Sequence, residues 1–380
     1  MMNGIRSIKI GFLLLVGVFM LNLEANPVLA RQYDMACSAC HSQVPALNDM
    51  GLSFIRNGLR TSKFDTTTLK SAMDSNSTNR FIPVGVMVGV SDNSKSDSIN
   101  TLARLYMTGT LTDSLSMWAS SKEQFNSDKD DQKLFESGNS QLYFQYNILE
   151  AKHAIRVGLL SPLTQLGNIK RSMGHSGLHG GEGHGENYSS PLQHANVKKI
   201  KGAEYSYLFD NNILLLFSYG ESIDNSRSYG SDSSHNGHEN TSEDDNDAFL
   251  AGITYRTESN YKLGLVYNHT EVQDQTFYSF ILPIEKEFTS FIWNSSLVYT
   301  NDSNDDYIGL ENAVTYPIGD MGHIKAIVNV DNDEFDNNNW GYSLGYTKIY
   351  NMFFFSAVAS RVNTEVYSSS KFMGSVQLFY

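Results

Sequence analysis

The feature that most constrains this chain is a period-two alternation of apolar and polar residues, repeated in segment after segment from Arg80 to Tyr380. Leu142, Phe144, Tyr146 and Ile148 alternate with Gln141, Tyr143, Gln145 and Asn147, and Phe249, Ala251, Ile253 and Tyr255 alternate with Leu250, Gly252, Thr254 and Arg256. Tyr261, Leu263, Leu265 and Tyr267 repeat the pattern against Lys262, Gly264, Val266 and Asn268, as do Trp340, Tyr342, Leu344 and Tyr346 against Gly341, Ser343, Gly345 and Thr347. Successive side chains of a strand point to opposite faces, so each segment carries one apolar face and one mixed, more polar face. Apolar faces this regular need lipid or a large core. Counting the segments gives about sixteen strands of roughly ten residues, the number and length of a bacterial outer-membrane barrel. Tight connections near Thr112-Asp113-Ser114, Asp210-Asn211, Glu258-Ser259-Asn260, Pro317-Ile318-Gly319 and Tyr350-Asn351 interleave with longer polar ones, as short periplasmic turns alternate with long outward loops. The chain ends on Val376, Leu378 and Tyr380 in alternation, a terminal aromatic strand. The expected class is all-β, a transmembrane antiparallel β-barrel, with a soluble sandwich or propeller as the competing architecture.

Composition agrees with strands: 21 Tyr, 21 Phe and 29 Gly stand against 7 Pro, and only 18% of the 380 residues are charged. A formal net charge of -13 excludes a nucleic-acid binder, which must neutralise phosphates with clustered Lys and Arg. No nucleophile elbow and no Walker-type loop point to hydrolysis.

Ahead of the strands, Arg6 and Lys9 precede the apolar run Ile10 to Leu21, and Val28-Leu29-Ala30 offers a cleavage site after Ala30. We read residues 1–30 as a secretory signal, 31–79 as a separate small segment with its linker, and 80–380 as the barrel. An uncleaved anchor helix is the alternative for 1–30, but the run is shorter than the roughly 20 residues a spanning helix needs.

The two cysteines of the chain, Cys37 and Cys40, both fall in Cys37-Ser38-Ala39-Cys40-His41. Two thiols separated by two residues can each form a thioether to one haem vinyl group, and the adjacent imidazole then serves as the proximal iron ligand. A disulfide or a thioredoxin-like redox pair are the other readings of such a spacing. The His after the second Cys, the export signal and the absence of a βαβ context favour one covalent c-type haem on Cys37, Cys40 and His41. Met35, Met50 and Met73 are nearby candidates for a sixth ligand, with Met50 the first choice; packing of a short helix is the other role open to it. A thioether there would raise the potential relative to a second imidazole.

Arg31-Gln32, Met35, Cys37, Cys40, His41, Pro45, Leu47, Gly51, Phe54 and Gly58 together resemble the fused cytochrome-porin family of iron-oxidising bacteria. The motif match covers Arg31 to Gly58. Met50 stands where that family has an aromatic residue, and Leu59 stands where Tyr is usual. The resemblance implies an outer-membrane protein of a Gram-negative bacterium that takes electrons from extracellular ferrous iron. About fifty residues are too few for a large independent core, so the haem segment is expected to pack on a surface, and the barrel lumen is the obvious one.

Two outward connections carry metal-binding side chains. Leu163 to Ala195 holds His175, His179 and His184 among glycines, with His194 further on; Glu221 to Asp247 holds His235, His238 and several carboxylates. Imidazoles and carboxylates on a Gly-rich chain can gather round a first-row divalent metal, and a solvated low-complexity loop is the plain alternative. His153, His269 and His323 sit in or beside strands and are expected to be structural. Two functions follow. One is electron transfer from an extracellular donor, by resemblance ferrous iron as substrate, through the haem to a periplasmic cytochrome or similar carrier. The other is a porin or metal-uptake channel with an accessory haem segment and metal-collecting loops.

Overall fold

The computed structural model describes residues 29, 33, 35, 39–43, 46–60, 84–93, 100–126, 140–148, 152–166, 191, 195, 197–209, 212–223, 246–272, 275–301, 306–319, 322–332, 338–350, 353–363 and 368–379. A short hairpin of β1 (His41–Gln43) and β2 (Ala46–Leu47) is followed by helix α1 (Asp49–Arg56). Sixteen strands then close into one barrel: β3 (Val84–Asn93), β4 (Asn100–Thr110), β5 (Leu115–Asn126), β6 (Ser140–Ile148), β7 (His153–Leu160), β8 (Lys199–Leu208), β9 (Ile213–Ile223), β10 (Asp247–Arg256), β11 (Tyr261–Val272), β12 (Gln275–Glu287), β13 (Ile292–Asn301), β14 (Asp306–Pro317), β15 (Gly322–Asn332), β16 (Asn338–Tyr350), β17 (Phe353–Asn363) and β18 (Ser368–Phe379). Each strand pairs antiparallel with its sequence neighbours. Closure comes from β18 against β3, in a register running from Met373↔Asn93 to Phe379↔Met87.

The alternation read from the sequence is the alternation of the wall. Along β6, Leu142, Phe144, Tyr146 and Ile148 are exposed, whereas Tyr143, Gln145 and Asn147 are buried. On β16, Leu344 is 56% exposed between Ser343 and the buried Gly345. Exposed Leu, Ile, Val, Phe and Tyr recur in this way on strand after strand, an apolar surface far larger than a water-soluble monomer tolerates. A closed sheet with an apolar outside and a polar inside is the solution for a membrane, because no backbone amide is left unpaired in hydrocarbon.

The connections at the end where the barrel begins and finishes are all short, such as 111–114, 257–260 and 288–291. At the other end they vary. Residues 161–198 join β7 to β8, yet only 273–274 join β11 to β12, and 302–305 and 364–367 are no longer than the turns at the first end, so the regular alternation of short and long connections expected from the sequence breaks at these three.

A second departure concerns the β7–β8 connection, which the sequence suggested was a surface loop. Its described ends lie inside the barrel. Ser161 leads into a 3-10 turn, Pro162–Thr164, and Leu163, Leu166 and Ala195 pack on Leu214, Leu216, Leu250, Val266, Ile281 and Val298 of the inner wall. Gly252 leaves the room for this: a Cβ there would come within 3.1 Å of a Leu166 methyl group. The carbonyl of Ala195 accepts hydrogen bonds from Asn268 Nδ2 (3.1 Å) and Ser279 Oγ (2.8 Å), as a buried loop carbonyl requires. This packing also explains why β9 to β13 carry apolar residues on the face that is polar elsewhere.

The wall predicts asymmetric tolerance. Leu344→Arg, at the middle of the apolar outside of β16, is expected to destabilise the barrel by about 2–4 kcal/mol, and Ser343→Arg, on the inner face, by much less. Denaturant titration of the protein folded into liposomes measures both.

Candidate functional site

Residues 39–43 and 46–60 form one compact unit around α1. The helix begins at Asn48, an N-cap whose Oδ1 accepts from Gly51 N at 2.9 Å, satisfying one of the amides that every helix start leaves over. Asp49 at the first turn and Arg56 at the last suit the helix dipole. Asn48 also reaches backwards. Its backbone N–H donates to Cys40 O (2.9 Å) and its side-chain amide donates to Ala39 O (3.0 Å). Gly51 lies flat against the same turn, where a Cβ would sit 2.1 Å from Cys40 O; only glycine fits. The hairpin sets His41 opposite Leu47, and Cys40 and His41 are both partly buried.

The helix ends at Arg56 with Asn57 as its C-cap, and Gly58 follows at a φ of +62° that favours glycine, with Gly58 N donating to Ile55 O and Leu59 N to Phe54 O. Leu59 follows at φ +63°, a conformation that costs a branched residue about 1–2 kcal/mol. Burial offsets it: Leu59 joins Tyr33 and Phe54 in a small apolar cluster, against which Leu29, Met35, Ile55 and the barrel residue Trp118 pack. Tyr33 meets Phe54 edge-on at 5.2 Å and donates its hydroxyl to Leu59 O at 2.5 Å.

Side chains of the barrel's inner face hold this unit at the short-turn end. Gln145 Nε2 donates to Ile55 O (3.0 Å) and Arg56 O (2.8 Å), and Asn147 Nδ2 donates to Arg56 O (2.6 Å). Arg60 donates to Leu115 O at 3.2 Å and also to Thr112 O. At the other end of the helix, Asp49 pairs with Arg256 and, at 2.8 Å, with Lys262, whose ammonium group also meets Glu285 (3.0 Å) and Glu287 (3.3 Å). α1 is thus fixed to β6 at one end and to β10 and β11 at the other.

The Arg56 guanidinium donates to Gln165 O (2.8 Å) on the inward-folded connection. Burial pulls its pKa down to about 10, Asp49 works against that shift, and Arg156 adds to it; the group stays charged at neutral pH. Gln165 Nε2 in turn donates to Glu204 Oε1 (2.9 Å), and Glu204 pairs with Arg156 while accepting from Ser218 Oγ at 3.0 Å. Both oxygens of the buried Glu204 carboxylate are engaged in this way, which favours its ionised form, whereas Arg156 Nε is buried with no hydrogen-bond partner among the described residues. The helix, the inward connection and the wall form one polar network.

Of the residues singled out in the sequence, Cys40 and His41 stand together on this unit. Met50, on the first turn of α1, is 44% exposed. Cys37, Met73, His175, His179, His184, His194, His235 and His238 lie outside the described residues, as does the signal segment apart from Leu29. His153 Nδ1 is 2.7 Å from Tyr205 OH, His323 bonds to Thr347 Oγ1, and His269 is 3.4 Å from Glu271; among the described residues no group of three or more His, Cys, Asp or Glu could hold a metal ion. Sequence reading missed Asn48, Gln145, Asn147 and Gln165. Asn48 had a local signal, an N-cap residue just before Asp49. The two wall residues, Gln145 and Asn147, had none, because a polar residue facing water and one facing a helix look alike in a strand, and Gln165 had none because it sits in a connection outside any strand.

The residues that could hold a haem are Cys37, Cys40 and His41, and the surroundings of the last two fit such a group. Their turn is fixed by Asn48 and Gly51, and apolar side chains sit on the same helix.

No family model matches the chain, and no curated protein matches it. Solved structures do. An anion-selective porin from Comamonas acidovorans is 13% identical with a TM-score of 0.53, covering 78% of this chain and 98% of its own. OprB of Pseudomonas putida is 8% identical with a TM-score of 0.52, covering 78% and 93%, and in-vitro folded OmpT of Vibrio cholerae is 12% identical with a TM-score of 0.50, covering 78% and 98%. The fold is that of an outer-membrane porin barrel. At such identities the likeness extends to architecture and no further.

Replacing Gln145 and Asn147 together by Leu removes three hydrogen bonds from the carbonyls at the end of α1. At about 0.5–1.5 kcal/mol each, we expect at least a tenfold rise in the rate at which protease cuts between residues 31 and 60, while the barrel still migrates as a folded species on a gel run without heating.

Proposed function

We propose that this is an outer-membrane electron-transfer protein: a porin-like barrel carrying one covalent c-type haem on Cys37, Cys40 and His41 at its periplasmic mouth, and passing electrons from an extracellular donor to a periplasmic carrier. The observation that carries this reading is the attachment of the Cys40–His41 turn to α1, whose two ends are tied to the inner wall at β6 and at β10 and β11. That attachment supports a segment that obstructs solutes and a redox group carried within the barrel rather than beside it. When bound, the haem supplies a one-electron couple. The chain's own residues do the rest: Asn48 and Gly51 hold the attachment turn, Tyr33, Phe54 and Leu59 supply apolar cover, and Gln145, Asn147, Asp49, Arg256 and Lys262 fasten the unit to the wall. An electron carrier must lie within tunnelling reach of its donor, and an apolar band about 25 Å tall separates the two aqueous sides. Resemblance makes ferrous iron the donor and substrate, and makes a soluble cytochrome the periplasmic partner. The histidines at 175, 179, 184, 235 and 238 are the candidates for collecting it, and Met50 is the candidate distal ligand.

A second reading has its own support. The barrel has the fold of porins, and much of its inner wall is polar; a passive or metal-uptake channel with an accessory haem segment needs nothing more, and the comparisons in themselves favour it. The two readings part on two measurements. Cells expressing the protein should oxidise ferrous iron, and Cys40→Ala or His41→Ala variants that still insert should lose at least nine-tenths of that activity; equal activity removes the electron-transfer reading. Purified protein in planar bilayers should conduct far less than an open sixteen-stranded porin, whereas a large steady conductance establishes the channel.

A further inference from the structure

Resting on the haem reading above, we infer that Asn48 is a positioning residue for the haem, acting through the Cys40–His41 backbone as a clamp that sets the redox potential.

Asn48 ties the attachment turn to the start of the helix. Its backbone amide holds Cys40 O at 2.9 Å, its side-chain amide holds Ala39 O at 3.0 Å, and its side-chain oxygen holds the Gly51 amide at 2.9 Å. Its own carbonyl accepts from Leu52 N at 2.9 Å. The two clamped carbonyls belong to the residue before the second thiol and to that thiol's own residue, and the imidazole of His41 comes next. A helix cap alone requires only the bond to Gly51. The two bonds to Ala39 and Cys40 are extra, and they join the attachment turn to the helix that the barrel wall fastens at both ends.

Gly51 completes the clamp from the other side. With Cys40 O only 2.1 Å from where a Cβ would stand, any side chain there pushes the turn away from the helix. The backbone that would orient the proximal imidazole is therefore gripped at two consecutive peptide groups and backed by a third residue. Ligand orientation, second-shell hydrogen bonds and solvent exposure are levers by which a protein sets a haem potential. A loosened turn admits water to the iron's proximal side, and water favours the more highly charged ferric form, so loss of the clamp lowers the potential.

The test separates clamp from cap. Serine caps helices about as well as asparagine, but its single oxygen, engaged with the Gly51 amide, cannot also span to Ala39 O. Wild type, Asn48→Ser, Asn48→Ala and Gly51→Ala are purified from outer membranes and titrated redox-optically, with haem content per chain recorded. We expect all three variants to shift the ferric-to-ferrous balance about tenfold toward ferric, equivalent to a fall of about 59 mV for one electron, with altered ferrous spectra. Loss of covalent haem from Asn48→Ser with the barrel still folded also supports the clamp. A wild-type potential and spectrum in Asn48→Ser overturns it and leaves Asn48 as a helix cap. A wild-type protein without covalent haem overturns the electron-transfer reading instead, so the two failures are distinguishable.

Discussion

Everything in this protein depends on the pairing of β18 with β3. An open sheet of this length would present two rows of unpaired amides to hydrocarbon at several kcal/mol for each group, and the register from Met373↔Asn93 to Phe379↔Met87 removes both edges at once. Once the ring is closed, the pleat decides the rest. Alternate residues must face lipid, which is why Leu344, Val157 and Tyr146 stand exposed, and the residues between them are free to be polar.

That inner face then does what a short segment cannot do for itself. The helix α1 has eight residues and one small apolar cluster, too little to pay for its own conformational entropy. The wall makes up the difference with donors for the carbonyls of Ile55 and Arg56 and with Arg256 and Lys262 for Asp49. Arg56 extends the same network to the inward connection and so to Glu204 and Arg156. The helix and the connection share a contact, and a shift in either is felt by the other.

The sequence made some of this plain and hid the rest for definite reasons. The barrel was legible because an outward apolar face recurs at every second residue in strands such as β6, β10, β11 and β16, and sixteen such strands are what the count suggested. Cys40 and His41 could be singled out because the motif depends on spacing alone, and the structure adds that both stand on the turn that Asn48 holds. The inward packing of Leu163, Leu166 and Ala195 was not legible, since Leu163 and Leu166 are too few to mark a core, and their partners Leu250 and Val266 sit on the face expected to be mixed. Nor could the role of Gln145 and Asn147 be read, because a side-chain amide carries no sign of what it will bond.

The measurement that tests the account most directly uses liposomes containing the purified protein, an oxidised soluble cytochrome and a small polar dye inside, and ferrous iron added outside. The account predicts that the trapped cytochrome is reduced while the dye stays in. Escape of the dye with the cytochrome still oxidised would contradict it and leave an ordinary pore.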